Sequence, residues 1–468
     1  MSTTGSADGR PPRESARPLS RRAFLGITGG AAVTGAAAWA GLVHDSVTGG
    51  AASRPGRDLA RGPGVDGPGP TGKATVAKAS DRVLVVVQCG GGNDGLNTLV
   101  PLDGRYHDAR PTLAIADKDV LSLRGEAGYG LHPSLGPLIA RWDAGQLAAV
   151  ESVGFPHPSR SHFEAMEWWW SATPGRASTT GWLGRWLDAT EDHPEPLRAI
   201  ALGDGSPALR SVKAISTAIR NPTQFGLRAP VGVDRDQLLS AFAATAQPLL
   251  VDQPLLAASQ ASVTHTLEAV RSLAKAGVGA SGGASGSVRV GGGGGAGQPP
   301  KLTGNGGGMR NGGQFAASLG TAADLITHEL GTRVIVIGVG GFDTHAGQVS
   351  THQRLLADLA KGIEGFFHTL EQRKLADRAL VLTTSEFGRR VAENGSGTDH
   401  GAAGVQFLIG PGVNAGVVGK ADLAKLDEGD LRSEIDTRSL YAAALDWLGG
   451  PTDDILGGRY DRHSLLSA

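Results

Sequence analysis

The feature that most constrains this chain is a run of mostly β-branched residues that ends directly before a carboxylate and an imidazole. The stretch RVIVIGVGGFDTHAGQ, Arg333 to Gln348, begins with this run and continues through two glycines to Asp343 and His345. Such a run is typical of a central strand buried on both faces. In open α/β sheets, ligands bind just beyond the carboxyl ends of the strands. Asp343 and His345 could therefore bind one metal ion together, or they could be a helix cap and a surface residue.

Three more groups of polar residues stand beside predicted buried strands. Asp94 follows the run RVLVVVQC after a triple glycine, which would let the backbone approach a ligand closely, and Glu386 follows the run ALVLT. Asp399 and His400 lie on a loop directly before a further strand, VQFLI. Each residue alone can be explained as part of a turn or as a cap. Together they favour a site for Zn²⁺ or another divalent metal ion, alone or as a pair, and a pair would suit hydrolysis of a phosphate or sulfate ester.

Ser161 stands at the predicted start of a helix in the stretch GFPHPSRSHFEAMEWWW. Glu164, three residues on, completes the pattern of a capping box, which explains Ser161 by local structure alone. A helix N-terminus also binds anions and would stabilise a serine alkoxide, so a nucleophilic role for Ser161 is the alternative. The tryptophans that follow favour a packing face over a carbohydrate-binding surface, because consecutive helix positions cannot all face one ligand.

The composition argues against two classes of function. The chain has 44 basic and 45 acidic residues without a basic stripe, so we do not expect a nucleic acid partner. The single cysteine, Cys89, cannot form an internal disulfide, and its position in an apolar run favours a packing role over a nucleophilic one.

The N-terminal region has the pattern of an export signal. In residues 1–48, Arg21 and Arg22 precede a weakly apolar run rich in Gly and Ala. A twin arginine before such a run is the signal read by the twin-arginine translocase. The run is too rich in Gly and Ala for a stable membrane span in the mature protein. We therefore predict export to the periplasm, the cell envelope or the exterior.

The rest of the chain predicts a linker and one folded domain. Residues 49–80 lack periodicity and predict a disordered linker, whereas residues 81–468 alternate strands and helices. This rhythm predicts an α/β fold, a three-layer α/β/α sandwich around a parallel-rich central sheet. A helical insertion at about 205–273 and a glycine-rich, low-complexity excursion at 274–313 are expected to interrupt it.

Several long segments carry a resemblance to a known family. They are VLVVVQCGGGNDGLNTLVP, SRSHFEA, GGFDTHAGQ and TTSEFGRRVAENGSGTDHGAA, which follow the twin-arginine signal in this order. Over about 82–460 the chain resembles the bacterial family named domain of unknown function 1501, whose members look like relatives of the alkaline phosphatase and sulfatase superfamily. The resemblance implies an alkaline phosphatase-like sandwich with metal ligands at the carboxyl ends of strands.

The resemblance also implies roles for individual residues. Asp94 matches the Asp that follows the first strand, and Ser161 matches the Ser or Thr nucleophile at a helix N-terminus. Asp343 and His345 resemble an Asp and a His that follow a later strand. These matches imply a metal-dependent hydrolase that acts on a phosphate or sulfate ester.

The next motif departs from the superfamily pattern. A strand that normally ends in Asp-His here ends in Glu386 followed by Phe387, so Glu386 would replace the Asp and the imidazole is absent. His400 would supply the final His, with Asp399 beside it as a ligand or as an orienting residue. Two functions of different classes follow: an exported ester hydrolase, or a non-catalytic envelope protein for binding or assembly that retains the fold with an altered metal site.

Overall fold

The computed structural model describes residues 77–221, 225, 234–246, 254–278 and 312–467. The predicted twin-arginine signal lies outside the described residues, as do nearly all of the predicted linker and most of the glycine-rich excursion. Among the helices of the described part, none combines the length and the apolar composition that a membrane crossing requires.

The described strands form two sheets. In chain order the strands are β1 (Val83–Gly90), β2 (Leu99–Pro101), β3 (Leu121–Ser122), β4 (Tyr129–Leu131), β5 (Leu147–Gly154), β6 (Ala199–Leu202), β7 (Thr217–Ala218), β8 (Val334–Gly340), β9 (Ala379–Thr384), β10 (Gly404–Ile409), β11 (Gly416–Val418) and β12 (Ile435–Asp436). The larger sheet has nine strands in the order β11-β5-β10-β9-β1-β8-β6-β7, with β12 paired to β5. The smaller sheet is antiparallel, in the order β2-β4-β3.

The larger sheet is mostly parallel, as the sequence predicts. β1 lies between β8 and β9 and pairs in parallel with both. β10 runs antiparallel to its neighbours β9 and β5, whereas the other pairings of this sheet among the described residues are parallel. The first part of the predicted insertion contributes β7 to this sheet. Because Gly90 is in register with Gly340, the loops after β1 and β8 leave the sheet side by side.

Helices cover both faces of the larger sheet. In chain order they are α1 (Gly104–Ala109), α2 (Ile139–Asp143), α3 (His162–Ser171), α4 (Trp182–Thr190), α5 (Arg235–Ala244), α6 (Pro254–Ala276), α7 (Gly312–Thr327), α8 (Gln348–Gln372), α9 (Thr437–Leu448) and α10 (Thr452–Leu456). Side chains of β1 alternate between the two faces, so that Val85 packs in a core with residues of α7 and α8. Val86 packs in the opposite core with residues of α3, α4, α9 and α10. The predicted three-layer α/β/α sandwich is therefore confirmed.

The tryptophan cluster is part of the second core. Trp169, Trp182 and Trp186 are buried, and the ring of Trp182 stacks on Tyr441 with centroids 4.3 Å apart. Buried, stacked rings stabilise the packing between helices and cannot contact a ligand in solvent. The packing interpretation is confirmed for these three residues. Cys89 is buried as well, and burial raises the pKa of its thiol, as expected of a cysteine with a packing role.

One buried carboxyl group in β5 lies in surroundings that disfavour its charge. Glu151 is fully buried, its Oε1 accepts only the N–H of Ser152 at 3.0 Å, and its Oε2 has no hydrogen-bond partner within the described residues. Burial raises the pKa of Glu151 from 4.5 to about 7. The folded protein therefore binds a proton that the unfolded chain releases between pH 4.5 and 7, so this group lowers stability progressively as the pH rises through that range.

We predict that Glu151→Gln stabilises the protein at pH 8 and has little effect at pH 4.5. The amide stays neutral, so the variant avoids a cost that approaches about 3 kcal/mol once the wild-type carboxyl must ionise. Urea unfolding at both pH values measures the difference in the free energy of unfolding. Glu434→Gln, which changes an exposed glutamate, is the matched control. A difference between wild type and Glu151→Gln that does not grow with pH would contradict the prediction.

Candidate metal centre

The candidate centre lies where the loops after β1, β8 and β9 meet. The loop after β8 carries Asp343 and His345, and the loop after β9 carries Arg389, which forms a β-bridge with His400. Gly91 has a φ of 116°, and a Cβ atom there would lie 2.3 Å from the backbone nitrogen of Asp343. The glycine after β1 therefore allows close packing against the loop that carries Asp343.

Three imidazoles surround the carboxylate of Asp343. Its Oδ1 lies 3.1 Å from Nε2 of His400 and 3.2 Å from Nε2 of His345. Its Oδ2 lies 3.5 Å from Nε2 of His162, at the first position of α3. One ligand atom each of His162, Asp343 and His400 lies within 4.8 Å of the others, and Nε2 of His345 is 2.9 Å from Nε2 of His400. Four potential ligand atoms therefore face one another.

The hydrogen bonds of the rings determine where their lone pairs point. Each of the three imidazoles donates from Nδ1 to an oxygen of the protein. The pairs are His345 with Asp399 Oδ1 at 2.9 Å, His400 with the Arg160 carbonyl at 2.9 Å and His162 with Glu386 Oε1 at 3.1 Å. Because a neutral ring carries one N–H, these bonds leave the lone pair on Nε2, the atom that faces Asp343. Metal-binding histidines show this pattern of an oriented ring with a free nitrogen.

Without a cation, this arrangement is unfavourable. When both rings are neutral, the Nε2 lone pairs of His345 and His400 face each other at 2.9 Å. The Nε2 atom of His162 is buried and has no hydrogen-bond partner within the described residues, which typically costs about 1–3 kcal/mol. A divalent ion bound to the four atoms would remove the repulsion and give the His162 nitrogen a partner. The residues present therefore fit a metal ion such as Zn²⁺, whose usual ligands are imidazole and carboxylate.

The pKa values of Asp343 and His400 favour the forms that bind metal. Burial alone would raise the pKa of Asp343, but contacts with basic side chains, the hydrogen bond from Arg389 first among them, outweigh it and lower this pKa below its usual value. Burial lowers the pKa of His400. An ionised carboxylate and a neutral imidazole at neutral pH are the protonation states that a metal ion requires. The pKa of His162 shifts the other way, because its hydrogen bond to Glu386 raises it.

Asp94 is held in a buried ion pair. Its Oδ2 accepts hydrogen bonds from Nη1 of Arg110 at 2.6 Å and from the side chain of Gln348, and its Oδ1 accepts the N–H of Asn97 at 3.3 Å. Burial would raise the pKa of Asp94, but the charge of Arg110 outweighs it and lowers this pKa. Both oxygens therefore have protein donors, and the structure does not bring Asp94 into the cluster around Asp343.

Glu386 and Asp399 reach the candidate centre as hydrogen-bond acceptors. Oε1 of Glu386 accepts the N–H of Gly91 at 2.7 Å in addition to the His162 ring. Oδ1 of Asp399 accepts the side-chain amide of Asn394 at 3.0 Å in addition to the His345 ring. Both carboxylates thus orient imidazoles in the structure.

Ser161 directly precedes α3 and is exposed. The predicted capping box is not formed, because the Ser161 side chain makes no capping hydrogen bond. Ser159 takes this place: its hydroxyl donates to Oε2 of Glu164 at 2.7 Å and accepts the N–H of Ser161 at 3.1 Å. The capping box therefore does not explain the presence of the Ser161 hydroxyl.

The sequence pattern does not identify His162 or Arg389 as residues of the centre. His162 occurs in the segment SRSHFEA, away from the strand-end motifs, and only the tertiary fold brings α3 to Asp343. Arg389 follows Glu386 closely in the sequence. An arginine beside predicted metal ligands does not by itself indicate a role in a metal centre. The one sequence feature that could have indicated a functional role for His162 is its position at a predicted helix N-terminus.

The fold and the cluster define an α/β protein with a candidate divalent-metal centre at the carboxyl ends of its central strands. Residues 121–466 match the model of a family described as protein of unknown function (DUF1501), so the chain belongs to this family. The matched region begins after β1, so the segment VLVVVQCGGGNDGLNTLVP lies outside it. A comparison with curated proteins finds no match.

Solved structures of low similarity include a hydrolase, a synthase and a sulfatase. A phosphonate monoester hydrolase from Silicibacter pomeroyi has 11% sequence identity and a TM-score of 0.36, covering 82% of this chain and 76% of that chain. A lipoteichoic acid synthase from Listeria monocytogenes has 10% identity and a TM-score of 0.35, with 83% and 77% coverage. A sulfatase from Pseudoalteromonas sp. has 8% identity and a TM-score of 0.35, with 82% and 72% coverage. Similarities at these TM-scores define neither a common fold nor a common activity, so the architecture rests on the sheet topology itself.

Proposed function

We propose that this protein is an exported, metal-dependent hydrolase of phosphate or sulfate esters. The observation that carries the proposal is the convergence of three imidazole Nε2 atoms on the carboxylate of Asp343. Imidazole and carboxylate ligands are those of catalytic zinc sites. A divalent ion held there would act as a Lewis acid on an ester oxygen.

The residues of the chain divide into proposed ligands and the groups that orient them. The proposed ligands are His162, Asp343, His345 and His400. Glu386, Asp399 and the Arg160 carbonyl keep the proton of each ring on Nδ1. This orientation matters because a ring with its proton on Nε2 could not bind the ion.

Ser161 is the proposed nucleophile. It is exposed, it directly precedes the proposed ligand His162, and its hydroxyl is not used for capping. The N-terminus of α3 would stabilise the negative charge of an attacking oxygen, because the helix dipole is positive at that end. The Ser161 oxygen would attack the phosphorus or sulfur of the ester and expel its alcohol, and water would then hydrolyse the resulting phosphoserine or sulfoserine.

The proposed function is tested with the full-length protein without a polyhistidine tag. Aryl phosphate, phosphodiester and sulfate esters are assayed before and after removal of metal with a chelator. We expect turnover of at least one ester class, its loss with the chelator and its recovery with Zn²⁺. Ser161→Ala should lower kcat about 10³-fold or more, because it removes the nucleophile. Ser122→Ala, which removes an exposed hydroxyl in β3 away from the site, is the matched control.

The possible results separate the two candidate functions. An unchanged kcat in Ser161→Ala would rule out the nucleophile and leave the hydrolase intact. An ion-loaded protein that turns over none of the esters would contradict the hydrolase. It would favour the alternative, a non-catalytic envelope protein that binds metal.

Export by the twin-arginine translocase is the proposed route to the cell envelope. We expect that replacing Arg21 and Arg22 together by Lys retains the protein in the cytoplasm, because this translocase recognises the arginine pair. Cell fractionation followed by immunoblotting measures the distribution. Arg17→Lys, which changes an arginine outside the pair, is the control and should leave export intact. Normal export of the double variant would exclude this route.

A further inference from the structure

We infer that the centre binds one divalent ion, and that the guanidinium of Arg389 occupies the position where a second cation would contact Asp343. The inference rests on the proposed metal-dependent function and adds to it the number of ions and a role for Arg389. It decides between the single ion and the pair of ions that the sequence leaves open.

Arg389 lies in a shell of protein oxygens. Its guanidinium is surrounded by five oxygens: the carboxylate Oδ1 of Asp343 and four backbone carbonyls. The carbonyls are those of Gly91, Gly92, Phe342 and Thr398, and the contact to Asp343 Oδ1 is 2.7 Å long. A shell of carboxylate and carbonyl oxygens is also what a hard divalent cation binds. The arginine fills this shell with a permanent positive charge.

Moving Arg389 out of this position would be energetically costly. Arg389 is 2% exposed, and Nε, Nη1 and Nη2 all donate to oxygens of the loops after β1, β8 and β9. Moving it would leave several carbonyls and a charged group without partners inside the protein. Because the side chain of Arg389 is inaccessible to solvent, it acts as a positioning residue for Asp343 and does not bind substrate.

The remaining carboxylates each use at least one oxygen within the protein, although Oε2 of Glu386 is buried without a hydrogen-bond partner in the described residues. Asp94 is paired with Arg110, and Glu386 and Asp399 each accept a hydrogen bond from an imidazole of the centre. A second ion that binds Asp343 beyond the imidazole side would lie directly beside the fixed positive charge of Arg389. A single ion at the imidazole side of Asp343 would have three Nε2 atoms as further ligands, which the Arg389 side does not offer.

The test is a metal titration of the full-length, untagged protein after removal of metal by a chelator. Calorimetry with Zn²⁺ should give one equivalent per chain, and electron paramagnetic resonance with Mn²⁺, a probe for oxygen ligands, should show no second bound ion in the Zn²⁺-loaded protein. Arg389→Lys keeps the positive charge and should also bind one ion. Arg389→Gln removes the charge and exposes the oxygen shell, so Mn²⁺ should bind as a second equivalent.

The number of bound ions is measured independently of ester hydrolysis. Two equivalents in the wild type would overturn the inference, even if the protein hydrolyses esters, and so would the absence of any bound ion. A folded Arg389→Gln variant that still binds only one ion would overturn the role of Arg389. If that variant does not fold, the count in the wild type still decides. One ion without ester turnover would support the inference while contradicting the proposed function.

Discussion

Asp343→Asn is expected to abolish ion binding and any ester hydrolysis while leaving the fold intact. Asp343 is the residue that all three imidazoles face, and its amide analogue keeps the hydrogen bond to Arg389 but loses the negative charge. Loss of a residue that merely orients a ligand typically costs about 10–100-fold in metal affinity, so loss of the central ligand should cost at least about 100-fold. Zn²⁺ affinity and kcat/KM are the measurements, with circular dichroism as the check on folding.

A graded set of variants makes this prediction specific. Asp399→Asn removes the charged acceptor of the His345 ring and should cost about 10–100-fold in Zn²⁺ affinity. Asp461→Asn changes an exposed aspartate, 76% accessible, and should have no effect. Equal affinities for Asp343→Asn and Asp461→Asn would show that the cluster around Asp343 is not a metal centre.

The second large effect is expected from Asp94→Ala, and it should be a loss of stability. Asp94 and Arg110 are almost completely buried, with 1% and 0% of their side chains accessible. Removing the carboxylate leaves the charge of Arg110 buried without its partner, which typically costs about 3–5 kcal/mol. Urea unfolding measures this loss, and Asp358→Ala, which breaks a more exposed pair with Arg354, should cost less than about 1 kcal/mol.

Asp94→Ala also distinguishes a structural residue from a metal ligand. Since both oxygens of Asp94 accept hydrogen bonds from the protein, the folded fraction of the variant should still bind one Zn²⁺ per chain. Loss of the ion from a variant that remains folded would identify Asp94 as a ligand, as the family resemblance implies. Unchanged stability would contradict the role of the ion pair.

The layers of the fold and part of the site could be predicted from sequence. Continuous β-branched runs are typical of strands buried on both faces of a parallel sheet that is covered by helices. The runs of β1 and β8 therefore predicted the layers of this fold. The polar residues after β8, Asp343 and His345, could be placed at the carboxyl edge for the same reason. His400 was found because its loop leads directly into β10, the strand beside β9.

The remaining features depend on contacts that no local pattern encodes. Asp94 follows β1 as a ligand would, but Arg110 folds back over 16 residues and pairs with it. His162 reaches the centre from the start of α3, and the sheet order that brings β5 and α3 there is a property of the whole chain. The desolvation cost of burying the Arg389 charge is offset by its five oxygen partners. Four of these partners are backbone carbonyls, which occur in every residue and so cannot be recognised from the sequence.

The most direct test of the metal centre is X-ray absorption spectroscopy of the Zn²⁺-loaded full-length protein. The arrangement of His162, His345, His400 and Asp343 predicts three nitrogen ligands and one oxygen ligand at about 2.0–2.2 Å, together with the outer-shell scattering of imidazole rings. A spectrum without imidazole scattering, or with oxygen ligands alone, would contradict the account.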